Sequence, residues 1–107
     1  MISAVFYRKN GRLNGFVISG HAGAAAKGQD IVCAAVSACV ELAANGVTEV
    51  LGLPGKVAAE DDTVRLRIPD DAVCKASSCL LRSLRLELKQ IAEDYPQRVR
   101  VCTKDCP

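Results

Sequence analysis

A chain of 107 residues, half of them hydrophobic and 24% charged, has the size and balance of one globular domain with a real core. Its formal net charge of +2 does not by itself argue for a nucleic-acid partner, because basic residues attract phosphate only when they cluster on one face. No apolar run reaches the roughly 18 residues of a membrane span. The opening "MISAVFYRKNG" lacks the basic-then-apolar pattern of a signal peptide, so the expectation is one cytosolic domain over residues 1–107 with no membrane contact.

The chain opens with two β-branched and aromatic runs, "ISAVFYRK" and "LNGFVIS", separated by Asn10-Gly11. That pair tolerates the positive φ of a tight turn and predicts a β-hairpin. Gly20 to Gln29 is rich in glycine and alanine, has no periodicity, and reads as an exposed loop. From Asp30 the pattern becomes helical: Val32, Val36, Cys39, Leu42 or Ala43, Val47 and Val50 share one face. Asp30 stands where an N-cap belongs. Asn45-Gly46 would mark a turn in isolation, but the apolar stripe runs through it, so one helix is expected to about Leu51. Gly52, Pro54 and Gly55 end it.

"KVAAEDDTVRLRIPDD" predicts a second hairpin, in which Val64, Leu66 and Ile68 alternate with Arg65 and Arg67. Pro69 closes that strand, and Asp70 or Asp71 is expected to cap a second helix. Leu81, Leu84, Leu88 and Ile91 form its apolar seam, and Tyr95-Pro96 terminates it. "RVRVCT" supplies a last strand and leaves "KDCP" as a tail. The order β-β-α-β-β-α-β predicts an α+β, two-layer sandwich: a largely antiparallel sheet with both helices on one face.

The candidate chemistry lies in "SGHAGAAAKGQDIVCAAVS", Ser19 to Ser37. Cys33 falls on the first turn of the helix, where unpaired amides and the helix dipole favour a thiolate nucleophile. It sits beside the apolar stripe, whereas Cys39 sits on it and reads as core. His21, the only histidine, titrates near neutrality and suits a base. It ends a strand, Cys33 begins the next helix, and a strand-loop-helix turn can bring them together. Two readings stand for each residue: a nucleophile and its base, or a core thiol and a loop histidine. Asp30 is either a third group orienting His21 or only a helix cap. Gly20, Gly23 and Gly28 either ease a flexible crossing or let a peptide backbone approach. Ser37, one turn beyond Cys33, either joins the site or faces solvent. No G-x-x-x-x-G-K-[ST] is present, which argues against a nucleotide-binding P-loop.

The remaining cysteines, 39, 74, 79, 102 and 106, form no C-x-x-C pair with each other or with Cys33. One histidine cannot complete a mixed zinc site and the spacings do not suit a knuckle, so no metal or cofactor is expected. Arg82, Arg85, Lys89, Arg98, Arg100 and Lys104 raise the question of an RNA surface. Acidic neighbours at Glu87, Glu93, Asp94 and Asp105 dilute them, and no aromatic residues interleave for stacking, so no direct nucleic-acid binding is expected.

"SGHAG" followed by "GQDIVCAAVS" and a long helix with "NGVTEVLGL" resembles the bacterial ribosomal-processing cysteine proteases of the Prp family. The likeness runs from "MI" through "DYPQRVRV" in element order, and its specific part is Gly20 to Ser37. The resemblance implies a protease that removes a short N-terminal extension from a large-subunit ribosomal protein. It puts the nucleophile on Cys33, the base on His21 and an acidic residue on Asp30. It also implies a homodimer and a glycine-rich loop that settles over substrate. Where members often carry a bulky residue after "GHAG", this chain has Ala24, Ala25 and Ala26. The alternatives to test against it are a non-catalytic ribosome-associated binding module and a thiol-redox or metal protein.

Overall fold

The computed structural model describes residues 1–20 and 31–106. Strands β1 (Ile2–Lys9) and β2 (Arg12–Ser19) form the expected hairpin. Asn10 and Gly11 take φ values of 52° and 77°, the mirror-image turn that matches the twist of paired strands. Helix α1 (Ile31–Asn45) follows and continues without a break into a π-helical turn, Gly46–Val50. Strands β3 (Lys56–Glu60) and β4 (Thr63–Arg67) make the second hairpin, before helix α2 (Lys75–Asp94) and strand β5 (Val99–Asp105).

The five strands form one sheet in the order β3-β4-β2-β1-β5. All neighbours are antiparallel except β1 and β5, which run parallel. Ile2, Ala4 and Phe6 of β1, Phe16 and Ile18 of β2, Leu66 of β4 and Val99 of β5 are buried on one face. Period-2 alternation aims these side chains the same way, and the helices cover them. Leu81, Leu84 and Leu88 of α2 are buried in the same core, while Ile91 is half-buried at its edge. Phe6 and Phe16 meet across the central strand pair with centroids 6.0 Å apart and planes tilted by 59°. This tilted contact is one of the favoured aromatic geometries.

The uninterrupted helix over Ile31–Val50 is long and apolar enough to cross a bilayer by length and composition. No unbroken apolar run marks this segment in the sequence, because Glu41 and Asn45 interrupt it. Val32, Val36, Val40, Ala43 and Val47 are nevertheless buried against the rest of the domain. This is how the core helix of a globular protein uses its apolar residues. Gly46, the warning sign in the sequence, does not end the helix. A Cβ placed there would lie 3.0 Å from Leu80 Cδ1, so glycine is what lets the end of this helix pack closely on α2.

Two local expectations are corrected. Asp70 and Asp71 do not cap α2; a turn follows Pro69, whose carbonyl accepts from the Ala72 and Val73 amides at 2.9 and 3.2 Å. The cap is Cys74, whose Sγ accepts from the Ser77 amide at 3.5 Å while the Ser77 hydroxyl accepts from the Cys74 amide at 3.0 Å. Asp70 instead pairs with Lys9 at 2.6 Å and Arg67 at 3.5 Å. Nor is "KDCP" wholly a tail. The parallel ladder pairs Lys104 with Tyr7 and Asp105 with Arg8, and the Cys106 amide donates to the Arg8 carbonyl at 2.7 Å. The Arg8–Asp105 ion pair at 3.0 Å helps hold that end.

Replacing Gly46 by valine forces a branched side chain into the Leu80 contact, and overpacking of this kind costs about 1–3 kcal/mol. A lowered denaturant midpoint with an unchanged slope is the expected result.

Candidate active site

The site is built where β2 ends and α1 begins. Gly20 follows the last residue of β2 with φ at 92°, a conformation that L side chains rarely adopt. A Cβ on Gly20 would collide with the Met1 carbonyl oxygen, and the Gly20 amide donates to the Asp62 carbonyl at 3.1 Å. Only glycine therefore lets the chain leave the sheet here, tight against the N-terminus and the β3–β4 turn. This gives Gly20 a backbone role beside the substrate-binding one expected of it. His21, Gly23, Gly28 and Asp30 lie outside the described residues.

Cys33 is the third residue of α1 and is half-buried. It opens into a groove of about 420 Å³ between α1 and the β3–β4 hairpin. Ile2, Ile18, Val36, Val40, Val57 and Val64 give the groove apolar walls, and Gly20, Ser37, Glu41 and Asn45 are among its polar or backbone-exposing positions. Ser37 is exposed one turn along the helix from Cys33, so the structure brings Cys33, Ser37 and Gly20 to one groove. Asp61, at the β3–β4 turn with φ at 51°, and Asp62 close its far side. Spacing along the chain carries no signal for that wall, because β3 and β4 are separated from Cys33 by most of α1.

The other thiols are sorted by their surroundings, and no disulfide joins any of the six. Cys39 is half-buried against the core, as its place on the apolar stripe implied. Burial, and then the Glu87 carboxylate, push its thiol above the usual range. Cys74 goes the other way. Its hydrogen bonds with the Ser77 amide and hydroxyl hold its thiol below the usual range, with smaller help from the Ala76 amide and the Arg12 guanidinium. A thiol at a helix N-terminus facing amide donors is the arrangement that favours thiolate. Cys74 is thus a thiol held toward thiolate that sequence reading missed, because Asp70 and Asp71 looked like better caps. Among the described residues no three His, Cys, Asp or Glu side chains gather as a metal site.

Comparison with known proteins gives the arrangement its class. The structure matches the ribosomal processing protease Prp from S. aureus in complex with a covalently linked product peptide. That match has a TM-score of 0.88 and 23% identity over 97% of this chain and 100% of the other. The same S. aureus protease in complex with a substrate peptide matches with a TM-score of 0.82 and 22% identity, over 97% and 100% of the two chains. SMU.848 from Streptococcus mutans matches with a TM-score of 0.85 and 24% identity, over 99% of each chain. No curated protein matches in sequence. At these identities the likeness is one of fold, and the family match supplies the chemistry: the protein is a cysteine protease. A family model described as cysteine protease Prp matches residues 1–100, and the chain belongs to that family.

The shifts at Cys74 and Cys39 predict a fixed order of alkylation, since only the thiolate reacts. With iodoacetamide and peptide mapping, Cys74 modification sets in at a lower pH than that of an ordinary thiol, and Cys39 modification at a higher one. Ser77→Ala removes the hydroxyl that helps hold the Cys74 thiolate and moves its onset to higher pH.

Proposed function

We propose that this protease removes the N-terminal extension of a large-subunit ribosomal protein, with Cys33 as nucleophile and His21 as general base. The observation that carries the reading is Cys33 itself, held on the first turn of α1 and opening into a peptide-sized apolar groove. The family match and the motif "SGHAG…DIVCAAVS" supply the reaction. The S. aureus structures, described with a substrate peptide and a covalently linked product peptide, support a thiol-linked intermediate.

In the proposed reaction His21 takes the Cys33 proton, and Sγ attacks the scissile carbonyl to form a tetrahedral adduct. Amides of the first helical turn, which have no partner within the helix, provide an oxyanion site. The C–N bond then breaks as His21 passes the proton to the departing amine, leaving an acyl-thioester on Cys33. Water, deprotonated by His21, attacks that thioester; the C–S bond breaks and the acid product leaves. Asp30 orients His21 or caps α1. Gly20, Gly23, Gly28 and Ser37 contact the peptide backbone. Val36, Val40, Val57 and Val64 favour apolar side chains beside the scissile bond.

We place the protein in the cytosol, the compartment in which six thiols stay reduced, and we read it as a homodimer. The outward face of α1 supports the dimer, since Ile31 and Leu42 are 71% and 72% exposed along one line of the helix. Leu42→Glu is expected to shift the protein toward monomer in light scattering, whereas a wild-type monomer would remove the dimer from the account.

The direct test is cleavage of a peptide spanning the extension and the mature N-terminus. Wild-type protein cuts it once, Cys33→Ala gives no cleavage, and His21→Ala lowers kcat/KM by at least about a hundredfold. If Cys33→Ala cleaves as well as wild type, the nucleophile is misassigned. Cys74→Ser retains activity, which separates the catalytic thiol from the one that caps α2.

A further inference from the structure

A second concave surface lies at the opposite end of the strands. It is a cleft of about 550 Å³ between the β1–β2 hairpin and α2, into which Arg8, Arg12, Lys75, Arg82 and Arg85 all project. Ile2 and Gly20 border the Cys33 groove, whereas Arg8 and Arg12 border this cleft. Six residues of β1 separate Ile2 from Arg8, or about 20 Å at 3.3 Å per residue.

From this arrangement we infer that the cleft binds the phosphodiester backbone of a nucleic acid, independently of base sequence. None of the acidic residues that dilute these cations along the chain lines the cleft. Asp105 is paired with Arg8, and Asp70 with Lys9 and Arg67. Glu87 lies outside the lining of the cleft, near enough to Cys39 of α1 to raise its thiol. Glu93 and Asp94 lie in the last turn of α2, beyond the cleft. Five cations then face one carboxylate, and no ion pair engages Arg12, Lys75 or Arg82 among the described residues. Arg85 is held in place by a 3.1 Å hydrogen bond from Nη1 to Thr103 Oγ1. The positive field is felt nearby, since Arg12 contributes to holding the Cys74 thiol low. The N-terminal end of the α2 dipole adds to it.

The shape favours an extended polyanion over a single phosphate. A second depression, lined by Arg82, Arg85 and Lys89, shares Arg82 and Arg85 with the cleft and prolongs it along α2. Lys75 to Lys89 spans fourteen residues of helix, about 21 Å, enough to track several successive phosphates. No aromatic residue lines either depression. That leaves phosphate contact, not base stacking, as the mode of recognition.

The test is fluorescence anisotropy of the full-length protein with a labelled RNA hairpin and a DNA duplex of matched sequence, between about 50 and 200 mM salt. Binding is expected to weaken steeply and linearly on a log–log plot. The double variant Arg12→Ala/Arg82→Ala is expected to bind at least about tenfold more weakly, with a salt slope shallower by about 2. Its melting temperature and Cys33-dependent peptide cleavage stay unchanged. Equal affinity for both probes identifies the phosphates alone, and tighter RNA binding adds the A-form groove; either supports the proposal. It is overturned by no binding at low salt, or by displacement of the RNA by micromolar pyrophosphate. It is also overturned if Arg98→Ala/Arg100→Ala, outside the cleft, weakens binding as much as the cleft variant.

Discussion

The molecule depends on β1 being hydrogen-bonded on both edges. Antiparallel pairing joins it to β2 from Ser3↔Ser19 to Lys9↔Arg12, and parallel pairing joins it to β5 from Ile2↔Val99 to Arg8↔Asp105. A strand satisfied on both sides cannot slip by one residue without turning Ile2, Ala4 and Phe6 away from the helices and exposing the core. The Phe6–Phe16 contact reinforces that register from the buried face. With β1 fixed, its two ends become fixed reference points. Ile2 borders the groove that holds Cys33, and Arg8 borders the basic cleft.

Placing Cys33 then takes two glycines and a helix. Gly20 lets the chain leave β2 in a conformation closed to other residues, wedged between the Met1 carbonyl and the β3–β4 turn. Gly46 lets the far end of the long helix sit close against Leu80. The helix is thus located at its C-terminal end by packing and at its N-terminal end by the valine stripe starting at Val32. The Cys33 thiol is thereby carried on a helix packed at both ends, beside a groove walled by two different elements.

Much of this was legible in the chain because local and global signals agreed. Asn10-Gly11 demanded a turn and the flanking runs alternated, so the first hairpin followed. Leu81, Leu84 and Leu88 repeated at helical spacing, and the seam is buried. The place of Cys33 at the start of α1 was legible because the helical apolar pattern begins just beside it. Legibility ended where the outcome depended on what lies across space. Asp70 has a capping residue's chemistry, but Lys9 on the neighbouring hairpin claims its carboxylate, and Cys74 takes the cap. "KDCP" has no strand signature of its own; its pairing is provided by β1. The apolar groove wall formed by Val57 and Val64 depends on β3 and β4 reaching across to α1, which chain order does not state.

The basic residues show the same limit in its sharpest form. Along the chain, Arg82, Arg85 and Lys89 alternate with carboxylates and look neutralised. A helix sorts residues by angle, however, not by adjacency: Arg82, Arg85 and Lys89 line one depression, and Glu87 is not part of its lining. Arg8 and Arg12 then arrive from a hairpin more than sixty residues away to complete the cleft. Net charge is therefore a poor guide here, since a total of +2 is compatible with a positive surface where the cations gather and most of the acids lie outside it. The separation also has a chemical logic. The cleft and the Cys33 groove border opposite ends of β1, so a polyanion held in the first would leave the second open to its own ligand.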